Sequence, residues 1–198
     1  QPQWLSQTRE EQVDAFVGRM DGGLESKARM DKELVISKAV EEKNTKTYDL
    51  GCGLGFYLKG LEENGFTDVM GLEGEIPKYA LSDKIYQQDL TLPFVIGNKS
   101  FKQGNVLILE VLEHIDKKYQ DEVLKNIIGL CSRFLILSWA IEGQPGFGHV
   151  NCKNNKDVIN LFAEQGFNYL NDATLTARAV INDDTWWFKN TLLIFRKI

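Results

Sequence analysis

Short apolar segments alternate with helical segments from Thr47 to the end of the chain, and this alternation restricts the fold more than any other feature. The helical stretches end at glycine, as in Phe56 to Asn64 before Gly65. Strands joined by helices form a parallel sheet with right-handed crossovers. The sequence therefore predicts an α/β fold whose first strands are Thr47 to Leu50, Asp68 to Leu72, Ile85 to Gln87, Asn105 to Leu109 and Phe134 to Trp139.

The C-terminal part departs from this alternation. A helix is predicted over Asp157 to Gln165, before Gly166. Two strands, Phe167 to Leu170 and Thr191 to Arg196, follow it with a loop between them. Such a hairpin-like end predicts an antiparallel edge on an otherwise parallel sheet.

Two helices are predicted before the first strand, over Arg9 to Met20 and Leu24 to Val40, with a break at Asp21-Gly22-Gly23. A length of 198 residues corresponds to one domain. We therefore expect residues 1–44 to be an N-terminal helical part and residues 45–198 to be the core of a single domain. The first residue is glutamine, which suggests a piece of a larger multidomain protein.

The composition argues against several classes of protein. No apolar run approaches the roughly 18 residues of a membrane-spanning helix, so no membrane partner is expected. A net charge of −5 argues against an extended nucleic-acid surface, which needs basic groups to neutralise phosphates. The same charge favours a small molecule or a glycan as the acceptor. Three cysteines without a CxxC pair are typical of reduced thiols, so we expect a cytoplasmic protein.

A glycine-rich loop, Tyr48-Asp49-Leu50-Gly51-Cys52-Gly53-Leu54-Gly55, joins the first strand to a helix. Alternate glycines let the backbone approach a ligand closely. The dinucleotide pattern G-x-G-x-x-G is absent, because Phe56 and Leu58 take the place of its last glycine in the two possible registers. The loop by itself is compatible with a ligand without pyrophosphate or with a tight turn.

Acidic residues follow the next two predicted strands. Glu73 comes about twenty residues after the loop, where a carboxylate accepts hydrogen bonds from two ribose hydroxyls. Asp89 follows the third strand and can accept from the exocyclic amine of adenine, or it can be a solvated turn residue. Together the two acids favour a nucleoside ligand.

Four motifs in order resemble those of the class I S-adenosylmethionine-dependent methyltransferases: Asp49 to Gly55, Gly71-Leu72-Glu73, Gln88-Asp89-Leu90 and Leu109 to Ile115. The resemblance implies a Rossmann-like, seven-stranded, mostly parallel sheet with helices on both faces and an antiparallel edge strand. It also implies that S-adenosylmethionine lies across the C-terminal strand ends. Asp49 would hold the methionine amino group, Glu73 the ribose, and Asp89 with Leu90 the adenine, and the other donor contacts would come from Gly51, Cys52, Gly53 and Glu110.

Glu110, Glu113 and His114 form an E-x-x-E-H segment after the fourth predicted strand, and the only other histidine, His149, follows the fifth. Two carboxylates and two imidazoles at one edge of a sheet can bind a divalent cation and leave positions for substrate oxygens. The alternative is that these residues only shape a pocket.

The E-x-x-E-H segment resembles that of two methyltransferase branches, the small-RNA 3′-terminal 2′-O-methyltransferases and the ubiquinone-pathway O-methyltransferases, where it is associated with a divalent metal. The resemblance implies that Glu110, Glu113, His114 and His149 hold Mg²⁺ or Mn²⁺, which binds a vicinal diol. Without a metal, His149 or His114 beside Glu113 would take the hydroxyl proton directly. Because the chain lacks a basic surface, a smaller diol than RNA is the predicted acceptor.

Two further segments are predicted to contact the acceptor. Trp139 to Gly148 is glycine-rich and is predicted to be a mobile loop. Asp183 to Asn190 combines aromatic and acidic residues, as sugar sites do. The alternative is that the aromatics of this segment alternate along a strand and enter the core. The sequence therefore predicts an O-methyltransferase of a carbohydrate or other small polyol, resembling glycan-decorating enzymes. An O-methyltransferase of a phenolic or quinone-precursor molecule and a non-catalytic methyltransferase-like binding module are the alternatives.

Overall fold

A computed structural model describes residues 43–94 and 101–198 of the chain. The helices predicted over Arg9 to Met20 and Leu24 to Val40 lie outside these residues. Seven strands form the sheet: β1 (Thr47–Leu50), β2 (Val69–Glu73), β3 (Ile85–Gln87), β4 (Gly104–Ile108), β5 (Cys131–Ser138), β6 (Phe167–Tyr169) and β7 (Leu192–Lys197).

Five α-helices accompany the strands in the described part of the chain: α1 (Phe56–Glu63), α2 (Gln120–Leu130), α3 (Asn155–Glu164), α4 (Asn171–Ala179) and α5 (Phe188–Thr191). Single 3₁₀ turns occur at Leu112–His114, Lys117–Tyr119 and Asp183–Thr185.

The strand order is β3-β2-β1-β4-β5-β7-β6. Strands β1 to β5 pair in parallel, whereas β7 is antiparallel to both of its neighbours, β5 and β6. The predicted seven-stranded, mostly parallel sheet is confirmed, and its antiparallel strand lies one position inside the β6 edge.

The helices cover both faces of the sheet because the central strands are apolar on both sides. On β4, Val106 and Ile108 pack on one face, against side chains of α2 and α3. Leu107 packs on the other face, where α1, α4 and α5 contribute Leu58, Ala177 and Phe188 among others. All of these side chains are buried.

The segment between β6 and β7 differs from its prediction, since it holds α4 and α5 rather than a loop and strand residues. The buried face of α4 consists of Thr174 and Ala177, which are small and weakly apolar, while Leu175 is exposed. Thr174 also accepts a hydrogen bond from the Ile194 backbone N–H. Because its buried stripe is not strongly hydrophobic, α4 has little periodic signal in the sequence.

The order of strands places a crevice at the middle of the sheet. After β1 the sheet grows through β2 towards one edge, and after β4 it grows through β5 towards the other. In open α/β sheets, ligands bind at the carboxyl ends of the strands at such a reversal point. The glycine loop after β1 and the acidic segment after β4 meet there. Among the residues that the structure describes, no helix has the length and apolar character to cross a membrane.

Candidate functional site

The glycine loop after β1 is held by the neighbouring strand. The backbone N–H groups of Gly51 and Cys52 donate to the Leu72 carbonyl over 2.8 and 3.3 Å. Gly51 and Gly53 have φ values of 70° and 53°, which favour glycine. A Cβ on Gly51 would lie 2.5 Å from Val111 Cγ2, whereas a Cβ on Gly53 would meet none of the described residues, apart from its chain neighbours, within 4 Å. Gly51 therefore allows the chain to pack closely, and Gly53 borders a space that no described residue fills.

Glu73, the last residue of β2, faces this loop. Its Oε2 accepts from the Gly53 backbone N–H over 2.8 Å, and its Oε1 accepts from Gly74 over 2.9 Å. An ionised carboxylate has about four acceptor positions, so two remain for further donors such as hydroxyls.

Asp49 is only 2% exposed, and its Oδ2 has no hydrogen-bond partner in the described part of the chain. Burial, together with the charge of Glu73, raises the pKa of Asp49 to about 7. A cation placed beside this carboxyl group would lower its pKa and stabilise its ionised form. The position predicted to hold a methionine amino group thus has a buried carboxylate oxygen, Asp49 Oδ2, that accepts no hydrogen bond from the described residues.

The other loop and strand-end residues have structural contacts. Cys52 is buried, and its Sγ lies against Gly71, where a Cβ would approach it to 2.6 Å. Asp89 Oδ1 accepts from both the backbone N–H and the hydroxyl of Thr91, and these bonds lower the pKa of Asp89. Leu90 is buried in the core. Asp89 therefore stabilises its own turn, which was one of the two roles predicted for it.

Asn126 on α2 is a positioning group that the sequence patterns do not indicate. Its Oδ1 accepts from the Phe94 backbone N–H, and its Nδ2 donates to the carbonyls of Leu90 and Leu92, all at 2.8–2.9 Å. It is 4% exposed. This one side chain attaches the segment after β3 to α2, and an isolated asparagine within a helix carries no pattern that would reveal it.

The acidic segment after β4 has a constrained backbone. Glu110 has a φ of 57°, which is uncommon for a residue with a side chain, and its N–H donates to Ser138 Oγ over 2.7 Å. Glu113 is fully buried, and neither of its carboxylate oxygens has a hydrogen-bond partner among the described residues. Burial and the charge of Glu110 raise the pKa of Glu113 to about 7, against a smaller opposing effect of the Glu113 and Ala140 backbone.

The loop after β5 brings His149 to the E-x-x-E-H segment. The Glu113 carbonyl accepts from the backbone N–H groups of Val150 and Asn151 over 2.9 and 3.0 Å. The rings of His114 and His149 meet edge to face, with centroids 5.1 Å apart. Ligand atoms of Glu113, His114 and His149 lie within 4.8 Å of one another. Three of the four predicted metal ligands are thus brought together, and Glu110 lies outside this group.

Carbonyl groups orient both imidazoles. His114 Nδ1 lies 3.2 Å from the Gly148 oxygen, and His149 Nδ1 lies 3.3 Å from the Gln144 oxygen. A carbonyl beside Nδ1 favours the tautomer that carries the proton there and leaves the Nε2 lone pair to a metal or a proton. Burial lowers the pKa of His114, and the neighbouring His149 lowers it further, although the Gly148 carbonyl opposes this. The neutral imidazole, which metal binding requires, is therefore favoured.

The structure describes both segments that were predicted to contact the acceptor. Trp139 and Ala140 are fully buried, so the loop from Trp139 to Gly148 is anchored where it leaves β5, and its predicted mobility stays a prediction. In the Asp183 to Asn190 segment, Trp186 is 48% exposed, while Trp187 packs against the core.

We expect the contribution of Asp49 and Glu113 to the free energy of unfolding of the ligand-free protein to fall as the pH rises from about 4 to about 7. Asp49 and Glu113 have raised pKa values, so the folded state binds protons more tightly than the unfolded state, and this stabilisation is lost as the pH passes the folded pKa values. Asp49→Asn removes one of the two groups and should reduce this loss by about 1 kcal/mol or more, measured by urea unfolding at both pH values. Asp172→Asn, at an exposed position on α4, is the control. Equal losses in the Asp49 variant and the parent would contradict the prediction.

Comparison with solved structures identifies the fold. Magnesium protoporphyrin IX methyltransferase from Synechocystis PCC 6803, solved with S-adenosylhomocysteine, is 18% identical with a TM-score of 0.60, over 98% of this chain and 90% of that one. The chain has the fold of the S-adenosylmethionine-dependent methyltransferases. The methyltransferase domain of bacterial CtHen1-C is 16% identical, with a TM-score of 0.57 over 86% of this chain and 98% of that one.

A third structure with this methyltransferase fold is 1,6-didemethyltoxoflavin-N1-methyltransferase from Burkholderia thailandensis, which is 12% identical with a TM-score of 0.61, over 96% of this chain and 86% of that one. No protein-family model and no curated protein sequence matches the chain. The names of these neighbours include a porphyrin and a toxoflavin precursor, so the methyltransferase fold does not indicate one acceptor.

Proposed function

We propose that this protein is an S-adenosylmethionine-dependent O-methyltransferase whose acceptor is a hydroxyl group of a carbohydrate or another small diol. The observation that carries the proposal is the Glu113, His114 and His149 cluster, which lies at the same sheet edge as the glycine loop. A site for a donor and a group able to take a hydroxyl proton are the two parts that O-methylation needs.

The donor part of the proposal rests on Gly53, Asp49 and Glu73. Open space in front of Gly53 can take the donor, and the buried Asp49 carboxyl suits a positively charged amino group. Glu73 keeps acceptor positions for ribose hydroxyls beside its two backbone bonds. An acidic crevice also attracts a sulfonium cation.

The cluster fits a divalent cation, because Glu113 holds two buried carboxylate oxygens without a hydrogen-bond partner in the described residues and both histidines are oriented through Nδ1. Two imidazoles and one carboxylate suit Mn²⁺ better than Mg²⁺. When bound, such a cation would polarise the acceptor hydroxyl and favour its alkoxide form.

The protein's own groups then act on the acceptor. The cluster orients a hydroxyl towards the methyl group. When both histidines hold a cation, the hydroxyl proton passes to solvent, and without a cation a histidine Nε2 takes it. The bond from the methyl carbon to the sulfonium sulfur breaks as the bond to the hydroxyl oxygen forms. The products are S-adenosylhomocysteine, a methyl ether and a proton.

A carbohydrate acceptor is favoured over a nucleic acid by the net charge of −5, which would repel a long phosphate backbone. The half-exposed ring of Trp186 offers an apolar face of the kind that packs on the C–H face of a sugar. A phenolic acceptor is the second candidate, since the same histidines could deprotonate a phenol.

The experiment combines binding with turnover. Calorimetry with S-adenosylhomocysteine tests the donor site, and labelled S-adenosylmethionine is then offered with sugars, phenols and RNA ends, with and without chelator. We expect donor binding and methyl transfer to a vicinal diol, loss of transfer in chelator, and recovery with Mn²⁺. Mono-deoxy sugars are the matched control, because a cation that grips two oxygens discriminates against an acceptor that lacks one.

Each other outcome points to a different conclusion. Absence of donor binding would contradict enzymatic function and favour a binding module that retains the fold. Full transfer in chelator with equal rates on diol and mono-deoxy sugars would contradict the metal and leave proton transfer by histidine. Transfer to phenols alone would contradict the carbohydrate acceptor.

A further inference from the structure

Asn151 lies two residues after His149 and is connected to three separate parts of the scaffold. Its backbone N–H donates to the Glu113 carbonyl over 3.0 Å. Its own carbonyl accepts from Trp139 Nε1 over 2.5 Å. Its side-chain Nδ2 donates to Gln120 Oε1 over 3.2 Å. Asn151 is 7% exposed, so these bonds are made away from competing water.

The three partners of Asn151 belong to fixed elements. Glu113 is in the 3₁₀ turn after β4, Trp139 directly follows β5 and is fully buried, and Gln120 is the first residue of α2. By contrast, the residues of the loop just before Asn151 are largely exposed, with Phe147 at 84% and Val150 at 64%. The carboxyl end of the His149 loop is therefore fixed at Asn151.

We propose that Asn151 is a positioning residue, which acts with Trp139 and Gln120 to hold the His149 ring against His114 and Glu113. The inference rests on the proposed role of the cluster, and it adds which residues outside the cluster set its geometry. Two further contacts of the His149 ring, Nδ1 with the Gln144 carbonyl and the close packing on Gly146, where a Cβ would clash with the ring, are internal to the loop and do not attach it to the scaffold.

A residue with only a structural role should affect stability without affecting the contact between the histidine rings. Asn105 is a second buried asparagine, 1% exposed, with its amide bonded to Thr47 Oγ1 and to the Phe134 backbone N–H. It lies in β4 near the amino ends of the strands, away from the cluster. A loss of stability is expected for changes at both asparagines, but only a change at Asn151 should alter the contact between the two histidine rings.

The test measures that contact directly in the full chain without metal or donor. The sequence has two histidines, so the imidazole region of an NMR spectrum contains one set of signals for each. In the parent we expect a nuclear Overhauser effect between the rings, consistent with their separation of 5.1 Å. In Asn151→Leu and in Gln120→Leu we expect this effect to weaken or vanish, while Asn105→Leu leaves it unchanged.

Mn²⁺ binding gives a second measurement. Outer residues that orient metal ligands change metal affinity by about 10- to 100-fold, and we expect a loss of at least about tenfold in Asn151→Leu and Trp139→Phe. If Asn151 and Gln120 act through their shared hydrogen bond, the double variant should lose no more Mn²⁺ affinity than Asn151→Leu does. S-adenosylhomocysteine affinity should stay at the parent value in all of these variants.

An unchanged ring contact and unchanged Mn²⁺ affinity in both Asn151→Leu and Gln120→Leu would overturn the inference. If Asn151→Leu fails to fold, Gln120→Leu decides, because Gln120 is half-buried at the start of a helix and its loss disturbs packing less. Failure of the proposed function is separable, since it would appear as absent methyl transfer in the parent with the ring contact intact.

Discussion

Replacement of His149 by alanine is expected to lower the rate of methyl transfer by roughly 10² to 10⁴, the usual contribution of a positioned proton acceptor. The imidazole is oriented by the Gln144 carbonyl and lies edge to face with His114, so its removal takes away either a metal ligand or the base. The rate is measured with labelled donor at saturating acceptor. Val150→Ala is the control, because this neighbouring side chain is exposed and its backbone bond to Glu113 is kept.

Excess Mn²⁺ distinguishes the two roles of His149. If His149 is a ligand, His149→Ala should need more Mn²⁺ for methyl transfer, so that high Mn²⁺ restores part of the rate. Glu113→Gln should behave in the same way. If His149 is a base, the rate of methyl transfer in His149→Ala should not respond to Mn²⁺, and the rate loss in Glu113→Gln should be smaller. A His149→Ala variant with the parent rate at all Mn²⁺ concentrations would exclude both roles.

Gly53→Val is expected to reduce the affinity for S-adenosylhomocysteine by at least about a hundredfold, or about 2.7 kcal/mol. A Cβ on Gly53 meets none of the described residues beyond its chain neighbours within 4 Å, so the branched side chain would extend into the space proposed for the donor. The positive φ of 53° adds a strain of about 1–3 kcal/mol to the folded state. Calorimetry measures the affinity, and urea unfolding shows whether the variant remains folded.

Gly166→Val provides a matched control for this variant. Gly166 also has a positive φ, 76°, and a Cβ there also meets nothing within 4 Å in the part of the chain that the structure describes, chain neighbours aside. It precedes the outermost strand, β6, and lies at the amino ends of the parallel strands, whereas the glycine loop lies at their carboxyl ends. We expect a similar loss of stability at the two glycines and a loss of donor affinity at Gly53 alone. Parent affinity in Gly53→Val would mean that the donor does not approach this part of the loop.

Local sequence patterns predicted most of the sheet. The apolar runs and glycine-terminated helices predicted every strand to within a few residues, because hydrophobic periodicity is a property of neighbouring residues. The order of strands and helices then placed Asp49, Glu73, Asp89 and Glu110 at one edge, since parallel strands end on the same side. The sequence therefore predicted which strand ends, with their acids, lie side by side in the sheet.

Contacts between distant residues decided the rest. The buried face of α4 is too weakly apolar for the sequence to predict this helix. The position of β7 between β5 and β6 depends on pairing between strands that are distant in the chain. The sequence predicted Gly51 and Gly53 as equivalent donor contacts, and only the position of Val111 separates them. Likewise, Glu113 carries a raised pKa because the folded chain buries it beside Glu110.

The sequence by itself determined the α/β alternation, the glycine loop and the acids at the strand ends, because each depends on residues close together in the chain. The tertiary structure alone decided that His149 meets His114 across 34 residues, through the Gly148 carbonyl, and that Glu110 stays outside their cluster. It also decided the hydrogen bonds of Asn126 and Asn151, whose partners lie on other elements. Such contacts form only when folding removes these polar groups from water, and a linear pattern contains no record of which groups will then meet.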